Sequence, residues 1–161
     1  MMSGNWRALA SVATIAVICA TLIAVTAAWT NPSIKANRAE KANRLYTQLI
    51  PNSGTLVLPG EGNCEQGYVG LISVPGYAGD IEWVYRYHAS RQTLALRTIA
   101  HAETPGIGDF IDSQRSPWLR ERDHNTAAEW RNLDAISGAT ITWNALQQGI
   151  EQIASKDYGC E

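Results

Sequence analysis

Charge is scarce in this chain of 161 residues: Asp, Glu, Lys and Arg make up 17%, and the formal net charge is −2. That balance excludes the electrostatic footprint of a nucleic-acid binder, and no long basic run lies beyond the flank of the apolar N-terminal segment. Histidine and cysteine are as sparse, with three of each. His88, His101 and His124 are scattered, without Cys or carboxylate partners at metal-ligand spacing, so no metal centre is expected. The lack of a CxxC pair or a multi-cysteine run excludes an iron–sulfur cluster. There is no G-x-S-x-G elbow for a hydrolase. Gly106-Ile107-Gly108 does not continue into a dinucleotide fingerprint. Internal repeats and low-complexity tracts are absent as well. What remains is one anchor and one domain of ordinary size.

The anchor is the uncharged run from Ala8 to Thr30. At about 1.5 Å per residue it is long enough for a hydrocarbon core of about 30 Å. Trp6 and Trp29 stand at its ends, where interfacial aromatics belong. Its length exceeds an ordinary signal-peptide core, so a single membrane span over 1–30 is expected. Small residues (Ser11, Ala13, Thr14, Ala16, Ala20, Thr21) would allow close packing on partner helices, with lipid around the remainder. Residues 31–52 read as a polar stalk helix with a weak apolar stripe (Ala36, Ala39, Ala42, Leu45, Tyr46), stopped by Pro51-Asn52-Ser53-Gly54. The domain is expected over 53–161. Lys35, Arg38, Lys41 and Arg44 follow the span while only Arg7 precedes it, and the positive-inside rule taken alone would place the domain in the cytoplasm. Cys19 lies in the span. Cys64 and Cys160 are either a disulfide formed in an oxidising compartment or two separate thiols.

Within the domain, Pro59 to Asn63 reads as a loop and Tyr68 to Val74 as a strand. From Asp80 to His88, Ile81, Trp83, Tyr85 and Tyr87 alternate with Glu82, Val84, Arg86 and His88, the period of a strand. A turn at Ala89-Ser90-Arg91 joins it to a second strand over 92–100, as an antiparallel hairpin. Short helices are expected around Pro117-Trp118-Leu119 and Ala127 to Trp130. The fold class is α+β, with helices packed on a mostly antiparallel sheet. Trp83, Trp118, Trp130 and Trp143 are expected in the core.

Two segments carry chemistry. In Asp134-Ala135-Ile136-Ser137-Gly138-Ala139-Thr140, small residues lead into a helix over 141–155 whose Leu146, Ile150 and Ile153 share a stripe. Unpaired amides and the positive dipole end of a helix start attract phosphate, and Ser137, Gly138 and Ala139 keep the approach open. The Thr140 hydroxyl is then placed to carry a phosphate covalently. The plainer alternative makes Ser137 an N-cap, Gly138 a turn residue and Thr140 a half-buried hydroxyl. Upstream, His101-Ala102-Glu103-Thr104-Pro105-Gly106-Ile107-Gly108-Asp109 sets a carboxylate, a hydroxyl, exposed amides and an aliphatic side chain around a Thr-Pro-Gly turn. That suits a ligand with an apolar face and a polar edge. A simple connecting loop is the other reading.

Together these segments, with Gly76-Tyr77-Ala78-Gly79-Asp80-Ile81, resemble the FMN-binding domain of the G subunit family of the Rnf electron-transport complex, shared with the C subunit of the sodium-pumping NADH:quinone reductase. The resemblance runs from about Gly67 to Ser155, with Ile107, Trp143 and Ala78 as departures from the commoner residues. It implies FMN held through a phosphoester on Thr140, the last residue of D-x-x-[ST]-G-A-T, with Ser137, Gly138 and Ala139 beside it. A separate flavin transferase would form that bond from FAD, using Asp134. His101, Glu103, Thr104, Gly106 and Ile107 would lie at the isoalloxazine ring. The implied function is electron relay within a membrane complex coupling ferredoxin and NAD to ion movement, the chain alone turning over nothing. The implied location is a bacterial inner membrane with the domain on the periplasmic side. Alternatives are the quinone-reductase subunit, although that family is longer, a membrane-tethered flavin sensor or assembly module, and a flavin-free interaction domain.

Overall fold

The computed structural model describes residues 5–49, 62–64 and 67–160. The expected helix stop at Pro51 to Gly54 lies outside them, as does most of the expected loop over 59–63.

Helix α1 runs from Asn5 to Leu49 without a break, through Pro32. By contact the chain divides into two units, at Glu40 and Lys41. In the first, the apolar stretch of α1 is exposed on every side and is long and apolar enough to cross a membrane. Its threonine hydroxyls are satisfied within the helix: Thr14, Thr21, Thr26 and Thr30 donate to carbonyls four residues back, at 2.6–2.9 Å. None of the four is left unpaired in hydrocarbon, where each would cost several kcal/mol.

The second unit begins inside α1. Ala42, Leu45, Tyr46 and Leu49 recur at helical spacing and bury themselves against Val69, Val84, Ala95 and Ile99. The polar stalk expected over 31–52 therefore ends in residues that are core of the domain. The weak stripe of small alanines strengthens only at Leu45 and Tyr46. Arg86 donates to the Leu49 carbonyl at the end of this helix, supplying a donor that the last turn lacks.

The sheet is an antiparallel meander of β1 (Gly62–Asn63), β2 (Gly67–Pro75), β3 (Asp80–His88) and β4 (Thr93–Ala100), in that order. Trp83, Tyr85, Tyr87, Leu94 and Leu96 face one layer, and Val84, Ala95 and Ile99 face the other, under the end of α1. Both faces are covered, so β4 is buried along nearly its whole length. Gly70 pairs with Tyr85, and a Cβ there would sit 2.5 Å from the Tyr85 ring. Any side chain at this position would displace the Tyr85 ring. Arg97, 4% exposed, is held by a bidentate pair to Asp123 with N···O distances of 2.6 and 2.5 Å.

Over the first face lie α3 (Thr140–Ala154) and the short α2 (Ala127–Arg131). Leu146, Ile150 and Ile153 are buried as their spacing predicts, and Gly149 lets α3 approach Trp83. Trp118 meets Trp130 and Trp143 edge to face, at centroid separations of 5.8 and 6.1 Å. Helix α2 opens with a capping box in which Thr126 and Glu129 exchange side-chain and backbone hydrogen bonds. A disulfide joins Cys64 to Cys160, with Cα atoms 5.8 Å apart, and Tyr158 packs on Tyr68 and Tyr87 beside it. Closing a loop of 96 residues removes chain entropy worth about 4–5 kcal/mol from the unfolded state.

Because the end of α1 is core, Leu45→Ala in the detergent-purified chain is expected to destabilise the domain by about 2–5 kcal/mol. Gln48→Ala, on the exposed side of the same turn, is expected to leave its unfolding midpoint unchanged. Chemical denaturation of the two variants checks this, and equal effects would contradict it.

Candidate functional site

Small residues shape the start of α3. Gly138 adopts φ +81°, a conformation that favours glycine, and a Cβ there would meet open space. Ala139 is the N-cap and offers no side-chain acceptor, and the first turn holds no acidic residue. The first intrahelical bond runs from the Trp143 amide to the Ala139 carbonyl at 2.8 Å. The amides of Thr140, Ile141 and Thr142 are thus left without an intrahelical acceptor. Ser137 is exposed and is not the cap, whereas Gly138 is a turn residue, as the plainer reading of this segment had it. Thr140 is exposed with its hydroxyl unpartnered among the described residues, whereas Thr142 is 3% exposed and hydrogen-bonded.

The partner of Thr142 is Glu103, a carboxylate only 5% exposed. Its Oε2 accepts from the Thr142 hydroxyl, and its Oε1 accepts from the Tyr77 amide at 2.8 Å. One side chain thereby ties three elements together: the β2–β3 turn, the segment after β4, and the first turn of α3. The backbone makes room for it. A Cβ on Gly76 would fall 2.3 Å from Glu103 Oε1, and one on Gly108 2.3 Å from Glu103 Cβ.

The segment after β4 is held from beneath. Ile107 and Gly108 donate to the Thr104 carbonyl at 3.1 and 2.9 Å, and Gly106, at φ +82°, donates to Asp109 at 2.9 Å. His101 accepts the Glu103 amide at Nδ1 (3.2 Å), which leaves Nε2 to carry the proton that faces Asp112 at 3.5 Å. Burial pushes the Asp112 carboxyl up, but the Gln114 amide and the His101 imidazole outweigh it and hold the group below the ordinary carboxylate value. Asp112 therefore stays an acceptor for His101.

Between these elements lies a cleft of about 480 Å³ lined by Tyr77, Glu103, Thr104, Ile107 and the α3 start from Gly138 to Thr142. The volume is that of a site for a small molecule or cofactor. One end offers three amides and the Thr140 hydroxyl. Around it stand the exposed apolar side chains of Tyr77 (66%), Ile107 (46%) and Ile141 (51%). Of the residues singled out in the sequence, Glu103, Thr104, Ile107, Gly138, Ala139 and Thr140 line the cleft. His101, Gly106, Ser137 and Asp134 do not: His101 and Gly106 brace the segment, and Ser137 and Asp134 lie exposed before α3. Sequence reasoning missed Tyr77, Ile141 and Thr142 as lining residues. The available signal was apolar or hydroxyl side chains adjoining glycine-marked turns.

The FMN-binding domain family matches residues 76–155, the stretch from the β2–β3 turn through α3. Among known proteins the chain is similar to the G subunit of the ion-translocating oxidoreductase complex of Shewanella baltica (strain OS223), with 26% identity over 84% of this chain and 81% of the relative. The corresponding protein of Pseudomonas aeruginosa (strain UCBPP-PA14) is 31% identical over 48% of this chain and 41% of its own length. That of Haemophilus influenzae (strain PittEE) is 34% identical over 44% and 40%. The latter two matches thus span about two fifths of those relatives. The matched residues contain every lining residue of the cleft, and the chain belongs to the FMN-binding domain family.

Proposed function

We propose that this chain is an electron-relay subunit of a membrane-bound, ion-translocating oxidoreductase complex, and that it carries FMN in the cleft through a phosphoester on Thr140. The observation that carries the site is the exposed, unpartnered Thr140 hydroxyl beside three unpaired amides at the start of α3. Similarity to the G subunits carries the rest. The neighbouring subunits would include those that exchange electrons with ferredoxin and NAD.

The residues present fit the group. The amides of Thr140, Ile141 and Thr142 and the helix dipole would hold the phosphate, and Gly138 lets it approach the backbone. Tyr77, Ile107 and Ile141 offer apolar surface to a flat ring, while Thr104 offers a hydroxyl to its polar edge. FMN, once bound, supplies one- and two-electron chemistry that no side chain here can perform. During maturation the Thr140 oxygen would displace AMP from FAD: the O–P bond to the FMN phosphorus forms, the pyrophosphate P–O bond breaks, and the hydroxyl proton is released. A separate flavin transferase would catalyse this step, with Asp134, exposed ahead of the helix, as its recognition element. Thr142 cannot take the place of Thr140 as acceptor, since its hydroxyl is buried and engaged by Glu103.

In a host that has the transferase, Thr140→Ala is expected to abolish the flavin fluorescence that otherwise stays with the denatured protein on a gel. Circular dichroism should remain native, because Thr140 is exposed and caps nothing, and a surface substitution of that kind shifts stability by only about 0.5 kcal/mol. Asp134→Asn is expected to lower attachment without abolishing the acceptor. A fluorescent Thr140→Ala band would overturn the assignment.

The domain is proposed to lie on the periplasmic side of the inner membrane. The Cys64–Cys160 disulfide supports that side, because reducing cytoplasm does not maintain such bonds. Lys35, Arg38, Lys41 and Arg44 oppose it by the charge rule. Alkaline phosphatase fused after Glu161 should be active in cells, and an inactive phosphatase with an active β-galactosidase fusion would reverse the orientation.

A further inference from the structure

Glu103 is the single Asp, Glu, Lys, Arg or His among the residues that line the cleft. It has no ion-pair partner among the described residues; an amide and a hydroxyl are its only hydrogen-bond donors there. Two glycines, Gly76 and Gly108, leave room for it where any Cβ would collide with its side chain. A buried carboxylate without a counter-ion is costly to maintain, and a merely adhesive role between the three elements could be filled by a neutral amide of the same shape. The fold nonetheless builds the pocket wall around this carboxyl group.

We propose that Glu103 sets the reduction potential of the redox group held in the cleft, by placing one uncompensated negative charge in its wall. The inference rests on the reading that FMN occupies the cleft. A fixed negative charge in a poorly solvated wall opposes the arrival of an electron nearby, and the low local dielectric keeps that opposition strong. Glu103 therefore holds the potential down. Thr142 moderates the effect, because its hydroxyl donates to Oε2 and disperses part of the charge. Glu103 is thus a positioning residue through its two hydrogen bonds and a tuning residue through its charge, and the two roles separate experimentally.

The test compares the full chain, purified in detergent from a host with the flavin transferase, with its Glu103→Gln and Thr142→Val variants. Each is titrated spectroelectrochemically after covalent flavin has been quantified on a denaturing gel. Glu103→Gln keeps a carbonyl acceptor for the Tyr77 amide and removes the charge, and its midpoint potential is expected to rise. Thr142→Val keeps the charge and removes one donor, and its potential is expected to stay level or fall. Potentials that rise in both variants would assign the effect to loosened packing and overturn the proposal. An unchanged potential in Glu103→Gln would overturn it as well, with the flavin reading intact. Absence of covalent flavin from the unmodified chain would remove that reading itself. Should Glu103→Gln fail to fold, Glu103→Asp, which retains the charge at a shifted position, is expected to keep the potential near that of the unmodified chain. A rise in the potential of Glu103→Asp would overturn the charge effect.

Discussion

The cleft depends on one buried carboxylate. Glu103 accepts from the Tyr77 amide and the Thr142 hydroxyl, and those bonds fix the relative positions of the β2–β3 turn, the segment after β4 and the start of α3. No other side chain lining the cleft joins all three. Supporting contacts are organised around it: Gly76 and Gly108 vacate the space it fills, His101 takes its amide, and Asp112 orients His101. The free helix start, with Thr140 exposed on it, is the outcome of turning Thr142 inward. Two threonines two residues apart thereby acquire opposite environments, one structural and one available for chemistry.

Much of this was legible in the sequence. Alternation in Asp80 to His88 marked β3, and the Leu146, Ile150, Ile153 stripe marked α3, because each periodicity reports one buried face. The glycine-marked turns and the D-x-x-S-G-A-T segment pointed to the loops that form the cleft. What stayed hidden was long-range. That Glu103 binds Thr142, 39 residues away, follows from how the sheet and α3 meet. Tyr77 stood out only as part of a turn, since its role as a cleft wall depends on its exposure beside α3. The burial of Val84 on a face read as polar likewise follows from the end of α1 covering that side of the sheet.

The boundary between anchor and domain falls inside a helix, where composition alone suggested a solvated stalk. Ala42, Leu45, Tyr46 and Leu49 make the last turns of α1 part of the domain core, and Arg86 meets the Leu49 carbonyl where the helix ends. The polar surface of the preceding turns conceals the switch to an apolar stripe within the same helix. At the other end of the domain, the disulfide and the packing of Tyr158 on Tyr68 and Tyr87 secure the C-terminal segment against the sheet. Burial and the neighbouring Tyr85 push the Tyr158 phenol well above its ordinary value, so it remains a neutral donor to the Ile153 carbonyl.

The central claim is that the exposed Thr140 hydroxyl, and not the buried Thr142 hydroxyl two residues on, takes a covalent flavin phosphate. Tandem mass spectrometry of the tryptic peptide from Asn132 to Lys156, which contains Ser137, Thr140, Thr142 and Ser155, tests it directly. The account predicts a mass increment of FMN less one water, with the fragment series placing it on Thr140 alone. An increment on Ser137 or Thr142, or an unmodified peptide from cells whose transferase labels a control protein, would contradict it.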